Sequence, residues 1–211
     1  MNGHSYKKHC IYDYAHIVKR AYDEGHQIAS HTWSHPYLTL SSEEEIIYQI
    51  EKLETAFRKI IGAIPTYFRP PFGAQNVTVR KILRDKGYKI VLWDVNTRDY
   101  EDDLKVSTHI FDKIERKSPQ PNPHIVLNHD RVETTSTTLG PYEASEALRR
   151  GYKVTTVGDC TGKPDKNDWY RDISEPQSRD DTWVCTPEDM HLPKSRSPQL
   201  SQAEALSPLQ E

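Results

Sequence analysis

Two histidines four residues apart in HTWSH, His31 and His35, are the first groups in this chain able to do chemistry together. Within one turn that spacing puts both imidazoles on one side, where they can hold a metal ion. Pro36 follows at once, so the pair sits in a loop or a single turn. This is not the HExxH zinc pattern, because position 32 is Thr where that motif needs a Glu base. Zinc also needs a third protein ligand, usually a carboxylate, and an open position for water. Arg69 in RPPFG is backed by two prolines that stiffen the chain behind it. Such an arginine suits holding a carboxylate by two parallel hydrogen bonds, and Asp99 in TRDY is its natural partner. His129 in IVLNHD titrates near neutrality in its ordinary state and is the proton-donor candidate. Each residue also has a bland reading, as a polar loop residue, a surface cation or a hydrogen-bonded structural histidine.

The elements that must position these groups alternate between helix and strand signals. Ala15–Glu24 reads as a short helix stopped by Gly25, with Asp13 as its N-cap. His26–Ser30 reads as a strand. Ser42 with Glu45 three residues on is a capping box. It opens a helix in which Ile46, Ile50, Leu53, Phe57 and Ile60 recur at helical spacing, and Gly62 ends it. Thr66–Arg69 is strand, Asn76–Lys86 helix and Tyr88–Val95 strand. Leu104–Arg116 is a weaker helix, His124–Asn128 strand, Tyr142–Arg150 helix and Tyr152–Val157 the last strand. Five strands, each preceded by a helix, imply a parallel sheet with right-handed crossovers, an α/β fold either doubly wound or closed as a barrel. His31, Arg69, the pair Asp94 and Asp99, and His129 with Asp130 then fall at or just past strand C-termini. That is the edge where parallel α/β folds build sites.

Composition narrows the rest. The chain has 211 residues, 28 Lys+Arg against 31 Asp+Glu, and a formal net charge of -3, so it carries no basic footprint for nucleic acid. No apolar run is long enough to span a membrane. Hydrophobic content is 35% and mean hydropathy -0.81, low for a globular chain. The polar end explains this. From Lys163 onward there is no Gly, and six prolines interrupt any period. Residues 1–160 read as one domain and 161–186 as an irregular surface wrap docked by Trp169, Tyr170 and Trp183. Residues 187–211 read as a disordered tail that cannot bury enough apolar surface to offset its ordering entropy.

The segments GHQIASHTWSHPYL, RPPFGAQN, VLWDVNTRDY and IVLNHD, in that order, resemble the successive motifs of the polysaccharide deacetylases with a NodB homology domain (carbohydrate esterase family 4). They are most similar to those of the fungal chitin deacetylases. The likeness runs from about Asn2 to Arg171. It implies a distorted (β/α)7 TIM-like barrel and metal-dependent hydrolytic removal of acetyl groups from an N-acetylglucosamine polymer such as chitin. By the resemblance, His31 and His35 are metal ligands and Arg69 orients the catalytic carboxylate. Asp99 is the buried aspartate that tunes the general acid, and His129 is that acid. Leu127 lines the acetyl pocket, Trp93 contacts substrate, and the backbone N–H near Phe72 is the oxyanion contact. Zinc or cobalt is the implied cofactor, and a monomer is expected.

One departure bears on activity. The family's first motif is a TFDDG-like strand end that supplies the general base and the third metal ligand, and no such segment occurs here. The expectation is a barrel lacking its first two strands, with weak metal binding and little turnover. Neither Asp13 nor Asp23 lies at a strand end, so neither is a good replacement. The alternatives are a non-catalytic carbohydrate-binding relic using Trp33, Trp93, Tyr37 and Tyr100 as stacking platforms, or a truncated gene-model fragment. Cys10, Cys160 and Cys185 make an odd count; Cys160 bridged to Cys10 or Cys185, and free thiols, both stay open. Asn76-Val77-Thr78 is a glycosylation sequon, meaningful in a secreted chain. The resemblance implies an extracellular or cell-wall protein, although MNGHSYKKHC has no apolar signal region.

Overall fold

The computed structural model describes residues 1–5, 9–115, 123–186 and 189. In chain order the strands are β1 (His4–Ser5), β2 (His9–Cys10), β3 (Ile64–Pro65), β4 (Tyr67–Phe68), β5 (Lys89–Ile90), β6 (Val95–Asn96), β7 (Val126–Leu127) and β8 (Tyr170–Arg171). The main helices are α1 (Ala15–Asp23), α2 (Glu43–Ile61), α3 (Val77–Asp85), α4 (Leu104–Glu115) and α5 (Gly140–Arg149). The described residues form two compact units, 1–91 with those from 162 onward, and 92–161.

The first unit is organised by α2. Its start is fixed by the capping box: the Glu45 N–H donates to Ser42 Oγ at 3.2 Å and the Ser42 N–H to Glu45 Oε2 at 2.8 Å. Glu43, Glu44 and Glu45 also meet the positive end of the helix. Ile46, Ile50, Leu53, Phe57 and Ile60 are all buried, as their spacing predicts. They pack α2 against α1, α3 and β3. At the far end Gly62 takes φ 67°, and a Cβ there would lie 2.1 Å from the Ser174 carbonyl oxygen, so only glycine fits.

Parallel pairing then sets the edge that matters. β4 pairs with β5, Phe68 opposite Ile90, and Ser30 makes a single parallel bridge to Phe68 from the other side. The Ser30 N–H donates to the Tyr67 carbonyl and the Arg69 N–H to the Ser30 carbonyl. His31 and Arg69 therefore leave neighbouring parallel segments at the same end.

Residues 162–186 dock on this unit, with Trp169, Tyr170 and Trp183 buried. The docking is more regular than a loose wrap. β8 pairs antiparallel with β3, a strand the sequence does not announce. The Tyr170 hydroxyl accepts from the Ile28 N–H at 2.9 Å, and Arg171 pairs with Glu54 at 2.7 Å. Cys10 is bridged to Cys185, while Cys160 is an exposed free thiol. The pairing is settled against Cys160, the cysteine the sequence reading placed first.

In the second unit β6 and β7 are parallel, Val95 opposite Val126 and Asn96 opposite Leu127. A π-helical turn at Thr135–Leu139 runs into α5, which packs on α4; Phe111 and Leu139 are buried there.

Several sequence expectations fail. The strand at 26–30 reduces to the Ser30 bridge. The strand at 88–95 splits into β5 and β6, and the division between the units falls inside it. No strand forms at 152–157, where a short helical turn Val157–Cys160 follows instead. Asp13 does not cap α1, whose N-cap position is Tyr14 with no side-chain cap. The tail at 187–211 lies outside the described residues except for Asp189.

The bridge closes a span of 175 residues. Long loops stand to gain most from such a link, and Cys10→Ser is expected to cost about 2–5 kcal/mol. Guanidinium melts of variant and wild type, with and without reductant, measure it; reduction should bring the wild type to the variant's midpoint.

Candidate functional site

The His31 backbone is held from two directions. The Asn2 side-chain amide donates to the carbonyls of His31 and Thr32. The His31 ring donates its Nδ1–H to the Arg69 carbonyl at 2.5 Å. That bond fixes the tautomer and puts the lone pair on Nε2, which is the form a metal ligand takes. Burial pushes the His31 pKa down to about 3, so the ring stays neutral. His35 lies edge-on to it with ring centroids 4.8 Å apart. Thr32, His35 and Phe72 all have φ between 60° and 69°. Positive φ is uncommon without glycine, and its concentration here marks a constrained site. The Phe72 ring stacks on Tyr37 at 3.8 Å and meets His35 edge-on at 4.7 Å. Tyr37 and Phe72 are both exposed, so the pair forms an aromatic shelf beside the imidazoles.

In the second unit the central group is Asp99, which is buried. A carboxylate removed from water must be met by donors. Asp99 Oδ2 accepts from the His129 backbone N–H at 2.6 Å and from Thr135 Oγ1 at 2.9 Å. Asp99 Oδ1 accepts from the His129 ring Nδ1–H at 2.8 Å. The imidazole is thereby oriented by its carboxylate, with Nε2 free for proton transfer. The Tyr100 ring packs edge-on against it at 5.9 Å. Behind the dyad, Thr97 Oγ1 donates to Asn128 Oδ1 at 2.5 Å, and Asn128 Nδ2 donates to Glu143 Oε2. Glu143 is buried in the first turn of α5, and desolvation raises its pKa to about 7.

The sequence-derived residues thus fall into two groups. His31, His35, Arg69 and Phe72 belong to the first unit; Trp93, Asp99, Leu127 and His129 belong to the second. The structure brings together the two imidazoles, and separately the Asp99–His129 pair. The Arg69 side chain is half-buried, and burial lowers its pKa. Trp93 and Leu127 are half-buried. Trp33 is fully buried beneath Gly3 and Tyr12, so it cannot serve as a stacking platform. Thr135 and Glu143 are missed by sequence reading. Thr135 sits in the run TTSTT, and Glu143 looks like any first-turn helix acid. The donor chemistry of His31 and His35 fits two positions of a divalent-metal site. Among the described residues no third His, Cys, Asp or Glu joins them.

The polysaccharide deacetylase family model matches residues 1–91. A chitin deacetylase of Arthroderma benhamiae is 36% identical over 166 residues, covering 76% of this chain and 43% of the relative. One from Pestalotiopsis sp is 35% identical over 172 residues, covering 81% of this chain and 56% of the relative. The solved chitin deacetylase of Colletotrichum lindemuthianum superposes with a TM-score of 0.73 at 29% identity, covering 82% of this chain and 78% of that one. The fold is therefore the α/β fold of the family 4 carbohydrate esterases. The chain belongs to the polysaccharide deacetylase family. It spans about half the length of the curated relatives it matches.

The raised Glu143 pKa carries a stability signature. An unfolded Glu loses its proton near pH 4, whereas folded Glu143 keeps its proton up to about 7. Between these values the folded state binds more protons, so this contribution to stability falls as pH rises. Glu143→Gln should remove the slope and be the more stable chain above pH 7, by up to about 3 kcal/mol. Urea melts of both chains at pH 4 and pH 8 test this. Parallel pH profiles would refute it.

Proposed function

We propose that this chain is the site-bearing part of a metal-dependent deacetylase acting on an N-acetylglucosamine polymer such as chitin, at the cell wall or outside the cell. The single observation that carries the proposal is the Asp99–His129 pair, with Nδ1 committed and Nε2 open. In hydrolysis, water adds to the acetamide carbonyl carbon and the C–N bond breaks. The leaving amine must then gain a proton. His129 gives it from Nε2, and the adjacent Asp99 carboxylate stabilises the imidazolium before transfer. Products are acetate and a free glucosamine unit. Arg69 orients the catalytic carboxylate, Leu127 and Trp93 border the acetyl group, and the Phe72 N–H faces the developing oxyanion. His31 and His35 supply two ligands to zinc or cobalt. When bound, such an ion supplies Lewis-acid polarisation of the carbonyl and a more acidic water.

The finer fold reading is a TIM-like (β/α)7 barrel without its first two strands. Its support is the order of the motifs and the parallel pairings at Ser30, β4–β5 and β6–β7. The 211 residues hold no TFDDG-like segment to give a base and a third ligand. Turnover by this chain alone is therefore expected to be slow. Acetate release from chitin oligomers with added zinc or cobalt measures it. His129→Ala should lower any release by about a hundredfold or more, the usual worth of a general acid. An unchanged rate in that variant overturns the assignment.

A second reading, glycan binding without hydrolysis, is favoured by the exposed Tyr37–Phe72 shelf. It predicts oligomer binding that survives chelator and weakens about tenfold or more in Tyr37→Ala, following the ordinary worth of an aromatic contact. Titration of oligomer with and without chelator separates the two.

A further inference from the structure

The second unit contains a buried polar chain that the proton-transfer chemistry does not use. It begins at Glu143, whose Oε2 accepts from Asn128 Nδ2 and whose Oε1 is buried without a partner among the described residues. Asn128 Oδ1 accepts in turn from Thr97 Oγ1, and the same hydroxyl lies 3.2 Å from the Leu127 carbonyl. Asn128 immediately precedes His129, and Thr97 lies two residues before Asp99. The three side chains therefore tie together the two strand exits from which the dyad projects.

The helix side matters equally. The π-helical turn and α5 form one continuous segment, and it reaches the strand exits twice. Thr135 donates to Asp99, and Glu143 receives Asn128. A π-turn shifts the register of everything before it relative to everything after, and such turns recur at functional sites. Gly140 stands at the junction, where a Cβ would come within 3.2 Å of the Thr135 carbonyl oxygen. Among the described residues this buried acid has one side-chain hydrogen bond, and burying a carboxyl so sparsely met is costly.

We infer that Glu143 is a positioning residue, which acts through Asn128 to hold His129 in its Nδ1–H tautomer against Asp99. The inference rests on the reading of His129 as general acid, but its geometry can be tested without turnover. Protonated or not, Glu143 has an oxygen to accept from Asn128, and the buried carboxyl with a pKa near 7 is consistent with either state. The raised value reflects burial first, partly offset by the Asn128 bond and reinforced by the charge of Asp99. Asp99 is the ionisable group that faces it.

The test is nitrogen-15 NMR of the His129 ring in the full chain. Wild type should show the Nδ1–H form. Glu143→Leu should move the ring toward mixed tautomers, and so should Asn128→Ala, which also serves if the first variant fails to fold. The double variant should shift no further than either single one, because residues in one chain of bonds do not act additively. Glu143→Gln keeps an accepting oxygen and should restore the wild-type spectrum. Where acetate release is measurable, Glu143→Leu should lower kcat about tenfold with little change in KM, the signature of misplacement. A folded Asn128→Ala with a wild-type His129 spectrum overturns the positioning role. If instead the spectra change as stated while His129→Ala leaves acetate release intact, the positioning stands and the general-acid reading falls.

Discussion

Asp99 is a carboxylate taken almost wholly out of water, and much of the second unit is arranged to meet that demand. An unmet buried charge costs several kcal/mol, enough to cancel a large part of a domain's stability. Three donors answer it: a backbone N–H, an imidazole N–H and a threonine hydroxyl. Two come from the exit of β7 and one from the π-turn. Strand pairing, helix register and ring orientation are therefore one problem with one solution. The imidazole that results is aligned because the carboxylate needed its proton, and the chemistry proposed for it uses an orientation already fixed by folding.

The first unit reaches the same end by other means. There the imidazole is held by a carbonyl, and its charge is suppressed by burial. One histidine is kept neutral by burial, and the other is oriented by a buried carboxylate. Ligand and acid are opposite electrostatic tasks. The roles proposed for them fall to identical side chains because one strand end offers a backbone acceptor and the other a buried carboxylate.

Much of this was legible in the residues. The capping box at Ser42, the helical period through Ile60 and the glycine stop at Gly62 each have a local cause, and each is found as expected. His31, His35, Asp99 and His129 stood out because their residue types are rarely spent at strand ends without purpose. The strands were harder. Their pairing is set by distant partners, so the 88–95 run broke in two and the 152–157 run formed none. β8 pairs with a segment more than a hundred positions away, which no local pattern reports. Thr135 and Glu143 were invisible for the same reason. A threonine in a polar run and a glutamate in a helical first turn become important only when the fold buries them. The choice of Cys185 over Cys160 as the partner of Cys10 was likewise a matter of distance in space.

The return of residues 162–186 to the first unit has a consequence for how the chain is made. That unit is split in sequence, and its closing contacts join Ile28 to Tyr170, Ile64 to Arg171 and Cys10 to Cys185. A ribosome delivers the second unit's residues in between. During synthesis β3 must wait for its partner β8 while some seventy residues emerge and fold. Contacts so far apart in sequence form slowly, and the waiting edge is exposed to wrong partners. The bridge therefore acts as a clasp on an assembly completed late, and it closes only under oxidising conditions.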